Sequence, residues 1–238
     1  MPNFVELWVY LSSTPLFGLT TTIVVYLVAL QVYVSLGRAP LANPVLWSVV
    51  ALCLALAVSG VEYPAYFAGA QFIHFLLGPA VVALAWPLWQ RRHLVAKRWW
   101  KLLVAALVGG CVASGSAVAM AWAIGLPREV ILSLVPKSAT APVAMGIAEK
   151  IGGAPSLAAV FAVLTGLVGA LSAKYLYALL KVDTSAPGWA ARGFALGTVS
   201  HGIGAARALQ VNADAGAYAG IALSAQVIMQ SLLIPLLI

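Results

Sequence analysis

Long apolar runs, each bounded by charge, proline or glycine, alternate along the chain with short polar breaks. The first covers residues 16–36, opened by Thr14-Pro15 and closed by Gly37-Arg38; its 21 residues give about 31 Å of helix, enough to cross a bilayer. A second, from the Asn43-Pro44 turn to Gly60, is barely long enough. Residues 61–73 are mixed, with Glu62, two tyrosines and Pro64, and lead into an apolar run over 74–89 that Gly78-Pro79 and Pro87 interrupt. Residues 102–124 predict a clean span rich in Gly, Ala and Ser, small residues that let membrane helices approach closely. Residues 125–153 are irregular, with Pro127, Pro136, Pro142 and Gly152-Gly153 among Arg128, Glu129, Lys137, Glu149 and Lys150. Three further runs follow: 157–180, with Lys174 near one end where it can snorkel; the glycine-rich, semi-polar 189–210; and 217–238.

This pattern predicts an all-α polytopic transmembrane helical protein with broken or re-entrant helices. Composition agrees: 63% of the 238 residues are apolar or aromatic and 8% are charged, against about a quarter in a soluble domain. Most soluble enzyme classes are thereby excluded. The chain reads as a single integral membrane domain over 1–238, with an N-terminal half at about 1–90, a basic cytoplasmic loop at 91–101 and a C-terminal half at 102–238. Cys53 and Cys111 fall inside apolar runs and are expected to be free thiols. The opening MPNFVELWVY carries Glu6 and no basic residue, so the first span is expected to stay in the mature protein.

The net charge of +7 changes the picture only through its placement. Arg91, Arg92, Lys97, Arg98 and Lys101 cluster between apolar runs, as in a cytoplasmic loop under the positive-inside rule, with Trp86, Trp89, Trp99 and Trp100 bracketing them as an interfacial belt. No RNA or DNA motif accompanies the charge, so no nucleic-acid partner is expected. Three crossings before that loop place Arg38 inside and Glu6 outside. If 128–150 is re-entrant, the next span ends inside with Lys181 and Arg192; if it crosses, those charges lie outside. The charge rule favours the first.

Two stretches carry candidate chemistry. In Val135-Pro136-Lys137-Ser138-Ala139-Thr140-Ala141-Pro142, prolines six apart stop one helix and start another, and 142–150 is long enough for only half a bilayer. A helix beginning at Pro142, with Lys137, Ser138 and Thr140 beside its free N–H groups, suits an anion such as a carboxylate. The competing reading is a solvated loop outside the membrane. In residues 193–207, Gly193, Gly197, Ser200, Gly204 and Ala208 form a small-residue stripe, while Gly202 and Gly204 allow unwinding. There Arg207 is a candidate carboxylate clamp, Thr198 and Ser200 are candidate hydroxyl contacts, and His201 is either a proton-coupling group or a packed neutral histidine. Pro79-Ala-Val-Val-Ala-Leu-Ala85 echoes Pro142-Val-Ala-Met-Gly-Ile-Ala148, as an inverted repeat or by chance. Glu62 and His74 are weaker candidates, and His93 in the basic loop is expected to be solvated. G-x-S-x-G, H-E-x-x-H and Walker patterns are absent, so neither an enzyme nor a metal or cofactor is expected.

PKSATAPVAMGIAEKIGG (136–153), PSLAAVFAVLTGLVGA (155–170) and ARGFALGTVSHGIGAARAL (191–209), with NPVL (43–46) and HFLLGPAVVALAWPL (74–88), resemble the LrgB/CidB family of bacterial membrane proteins. Departures are small: Ala139 and Ala141 stand where threonines are usual, and Gly202 where alanine is more common. The resemblance implies two physically different roles. One is an antiholin- or holin-like regulator of murein hydrolase activity and cell lysis, acting beside a small LrgA/CidA-like partner and as a homo-oligomer. The other, from the related plastidial glycolate/glycerate translocator, is alternating-access transport of a small monocarboxylate of glycolate, glycerate or pyruvate type. Both imply a multi-pass protein of the bacterial inner membrane. A lesion-forming protein needs no fixed anion site, whereas a carrier needs cationic and backbone donors converging at broken helices. The candidate substrate-binding set is therefore Lys137, Ser138, Thr140, Pro142, Thr198, Ser200, His201 and Arg207.

Overall fold

The computed structural model describes residues 15–76, 79, 82, 83, 85–90 and 92–238. The regular elements among them are helices, as the apolar runs predict, and four are long and apolar enough to cross a membrane: Leu16–Ser35, Ala96–Ala123, Pro155–Leu179 and Ala213–Leu237. Three of the seven residues of the Pro79–Ala85 half of the sequence echo, and the acidic N-terminus, lie outside the described residues. The chain divides into two compact units, Met1–Val81 and Val82–Ile238.

In the first unit, α1 (Pro15–Ser35) is followed by a 3-10 turn (Pro40–Ala42), α2 (Pro44–Ser59) and α3 (Tyr63–Phe75). Asn43 caps α2 by accepting from the Val45 and Leu46 N–H groups, Pro44 occupies the first turn where no donor is needed, and Gly60 ends the helix at φ 67°. Gly18 lets α1 approach α3 so closely that a Cβ there would lie 2.0 Å from the Tyr66 carbonyl oxygen. One turn on, the Thr22 and Tyr66 hydroxyls are hydrogen-bonded at 2.6 Å.

The second unit contains α4 (Ala85–Gln90), α5 (Arg92–Ala123), α6 (Arg128–Leu134), α7 (Ala141–Ile151), α8 (Pro155–Leu179), α9 (Ala186–Val211) and α10 (Ala213–Leu237). The basic stretch is not a loop. From Arg92 onward it forms the first turns of α5, because Leu, Ala, Lys, Arg and Trp follow one another with neither glycine nor proline to stop a helix. Trp99 and Trp100 are 60% and 54% exposed there, as interfacial residues are.

The irregular stretch is a hairpin. Beyond α6, i→i−3 bonds from Val135, Lys137 and Ala139 continue a tight 3-10-like winding to Ala139; the chain then reverses into α7. The return is fixed at the base, where the Ala154 N–H donates to Ser133 Oγ at 2.8 Å and a Cβ on Gly153 would meet the Ser133 backbone N at 2.9 Å. At about 10 and 16 Å, neither α6 nor α7 can cross alone. Both ends of the hairpin thus lie at one end of the unit and its tip is buried, with Ser138 and Ala139 fully enclosed. The antiparallel α8 then brings Lys181 and Arg192 back to the basic end of α5, where Ala190 and Ala191 line a common cleft with Arg98 and Lys101. Between the two arrangements the sequence leaves open, the fold takes the re-entrant one. The α8–α9 turn is tied by Arg192, which lies over the Tyr177 and Trp189 rings and donates to the Val182 carbonyl, while the Tyr177 hydroxyl donates to the Arg192 carbonyl.

Helices α9 and α10 pack most closely of all. A Cβ on Gly193 or Gly197 would lie 2.0 or 2.1 Å from the carbonyl oxygens of Ala215 and Ala219, so this contact exists only because both positions lack a side chain.

Candidate functional site

Helix α9 breaks at His201, whose φ of 40° and ψ of −134° interrupt otherwise helical geometry. Sequence reasoning assigns unwinding to Gly202 and Gly204; the break instead falls on a non-glycine residue, which is costly and must be held by its surroundings. Two contacts hold it. The buried His201 Nε2–H donates to the Ala162 carbonyl of α8 at 2.7 Å. Gly166 of α8 provides the room, since a Cβ there would lie 2.9 Å from the imidazole ring. One residue earlier, Ser200 is accommodated in the same way: a Cβ on Gly169 would lie 1.7 Å from Ser200 Oγ. These contacts fall on 162–169 of a helix running Pro155–Leu179, near the middle of the span.

The hairpin tip comes to the same depth. Ala139 belongs to one apolar cluster with Ala144 and Ala148 of α7 and Ala158 and Ala162 of α8. Lys137 therefore lies within electrostatic reach of His201. Lys137 and Ser200 together line a cleft of about 490 Å³ that follows one face of α8, past Thr165, Gly169, Ser172 and Tyr177 toward the basic end.

The polar atoms at this place are unusual. Thr140 stands at the N-cap of α7 and makes no side-chain cap, so the first N–H groups of that helix have no intrahelical acceptor. Pro142 occupies the first turn, as the sequence predicts. The Ser138 and Thr140 hydroxyl oxygens at the hairpin tip and the Ser200 hydroxyl oxygen at the α9 break are buried and have no hydrogen-bond partner, a costly state for all three. A helix N-terminus, an ammonium group and unpaired hydroxyls are the groups that hold a small anion. Among the described residues, no group of three or more His, Cys, Asp and Glu side chains could hold a metal ion.

Of the predicted residues, the fold brings Lys137, Ser138, Thr140, Pro142, Ser200 and His201 to this region. Thr198 points elsewhere: its hydroxyl donates to the Phe194 carbonyl at 2.8 Å and its methyl group packs at Gly109 of α5. Arg207 lies half-buried on the segment of α9 beyond the break; like Ser138, Thr140, Pro142 and His201, it does not itself line the cleft. The break at His201 falls between Ser200 and Arg207, so the two do not share one continuous helix face. Sequence reasoning missed Gly166 and Gly169, and also Thr165 and Ser172. A signal was present, because Thr165, Gly169 and Ser172 recur at i, i+4 and i+7 in a span otherwise apolar on that face.

The profile of the LrgB-like family matches residues 22–238, which include both broken segments. The chain belongs to the LrgB-like family. Within it, the protein is similar to YxaC of Bacillus subtilis strain 168, at 33% identity over 91% of this chain and 92% of that protein. It is also similar to YwbG of the same strain, at 32% identity over 93% and 96% of the two chains. The holin-like protein CidB of Staphylococcus epidermidis strain RP62A is 31% identical over 91% of this chain and 93% of its own. No solved structure matches. The family assignment agrees with the apolar spans in making this LrgB-like chain a multi-pass membrane protein.

Proposed function

We propose that this LrgB-family protein carries a small 2-hydroxy or 2-oxo monocarboxylate, of glycolate, glycerate or pyruvate type, across the bacterial inner membrane by alternating access. The observation that supports the reading is the set of buried, unpartnered hydroxyls of Ser138, Thr140 and Ser200 around an uncapped helix N-terminus with Lys137 beside it. The carboxylate accepts from the α7 N–H groups, Ser138 and Thr140, with Lys137 balancing its charge. Ser200 addresses the 2-oxygen, and His201 fixes the break that presents it. Binding at mid-span between a re-entrant hairpin and a broken helix is the arrangement alternating-access carriers use.

A second reading is a holin-like regulator of murein hydrolase activity and lysis, working as a homo-oligomer with a small LrgA/CidA-like partner. It is favoured by the name holin-like protein CidB that relatives carry. Proteoliposomes with the purified protein separate the two. Saturable, stereoselective uptake of radiolabelled glycerate or saturable uptake of pyruvate is the expected result. Leakage of unrelated dyes graded only by size would overturn the carrier reading.

A further inference from the structure

A second cleft, of about 510 Å³, lies between α9 and α5. Its walls are one face of each helix. From α5 come Leu102, Ala105 and Gly109; from α9 come Ala191, Ala195 and Val199, spaced four apart. The small residues make the groove: alanine or glycine at four of these six positions keeps two adjacent helices from filling the space between them. Arg98 and Lys101, both exposed and three residues apart on α5, line its end toward the start of α5. The exposed Trp99 and Trp100 place that end at headgroup level.

The dimensions match one leaflet. From Arg98 to Gly109 is eleven residues of continuous α-helix, about 16 Å, and half of a hydrocarbon core of about 30 Å is about 15 Å. A ligand for this groove needs an apolar tail of that length under an anionic head. The soluble monocarboxylate of the proposed cleft has no such tail. Of the two hydroxyl residues lining the groove, Thr198 is already satisfied by the Phe194 carbonyl, and Tyr218 of α10 is buried.

We propose that this groove is a binding site for an anionic phospholipid of the surrounding membrane, its phosphate held by Arg98 and Lys101 and one acyl chain lying along Ala105, Gly109, Ala195 and Val199. The site is independent of the carrier reading, since it would exist equally in a holin-like assembly. Ala195 and Val199 also line the Lys137–Ser200 cleft, so the two clefts meet along one ridge of the segment that leads into the His201 break.

The test is native mass spectrometry of the full-length protein released from detergent containing either phosphatidylglycerol or phosphatidylcholine with the same acyl chains. Phosphatidylglycerol is expected to remain bound to the wild type in preference to phosphatidylcholine. Each cation removed near the headgroup should lower its retention about 5-fold, so Arg98→Gln/Lys101→Gln loses it almost entirely. Ala105→Phe, which fills the groove from its exposed wall and leaves both charges in place, should also lose it. Lys174→Gln, which removes an exposed cation outside the groove, should retain it. Equal retention of the two lipids, wild-type retention in either groove variant, or a loss in Lys174→Gln as large as in the double variant would each overturn the proposal.

Discussion

Two stretches of α9 have similar composition and opposite uses. At Gly193 and Gly197 the absence of side chains brings backbone against backbone, with α10 carbonyl oxygens about 2 Å from where a Cβ would stand. At Ser200 and His201 the glycines belong to the facing helix, and Gly166 and Gly169 create space for side chains. The first stretch is sealed by the neighbouring cluster of Leu196, Ala208, Ala215, Ala219 and Leu223. The second carries an unpaired Ser200 hydroxyl and a residue at φ 40°. Small residues thus buy proximity in one place and room in the other, and only the second use creates chemistry. A membrane protein cannot rely on apolar burial between helices, so close contact does the holding and polar groups are left for the site.

That contrast can be broken most severely at Gly197. Gly197→Leu puts a branched side chain against the Ala219 backbone, which cannot rotate away, and should leave no folded protein in size-exclusion profiles of detergent extracts. On the open side, Lys137→Met should leave the melting temperature within a few degrees of wild type. Carboxylate uptake by proteoliposomes should fall about 10- to 100-fold, the worth of a charge-assisted hydrogen bond. Wild-type uptake in this variant would remove the ammonium from the site. Gly169→Ala sharpens the comparison further, because the atom it meets is the Ser200 hydroxyl, a side-chain end that can turn. It should melt moderately lower and bind substrate about tenfold more weakly; adding Ser200→Ala should recover the melt but not the binding. The smallest effects belong to Ser138→Ala and Thr140→Val. Neither hydroxyl has a partner to lose, so each variant should be as stable as wild type or more so, with affinity lowered about 2- to 10-fold. A clear loss of stability in both would mean that these hydroxyls serve the fold rather than a ligand.

Much of the fold was legible from run lengths and breakers. The spans predicted at 16–36, 157–180 and 217–238 correspond to α1 (Pro15–Ser35), α8 (Pro155–Leu179) and α10 (Ala213–Leu237), within four residues at each end. The helix predicted over 142–150 is α7, because Pro142 and Gly152 punctuate it on both sides. The loop expected at 91–101 is, from Arg92, the start of α5, because charge marks where a helix leaves the membrane, not where it stops being helical. The site was half legible. Prolines six apart announced the hairpin tip, whereas the break in α9 was assigned to glycines that could bend and occurs at a histidine that is made to bend. Arg207 drew attention as a rare intramembrane cation, yet its place relative to Lys137 depends on the direction α9 takes after His201.

The amino-acid sequence by itself determined that this chain lives in a bilayer, where most of its helices begin and end, and that two segments are interrupted. Those are local properties, set by hydropathy over about twenty residues and by the backbone chemistry of proline and glycine. The tertiary structure decided that the hairpin returns to the side it came from, that Lys137 shares a cleft with Ser200, and that Thr198 faces away. Each of these depends on which helix lies opposite. Gly166 and Gly169 leave space on α8, Gly109 receives a methyl group on α5, and Ser133 ties the base of the hairpin, so the pairing of distant small residues selects which polar groups meet.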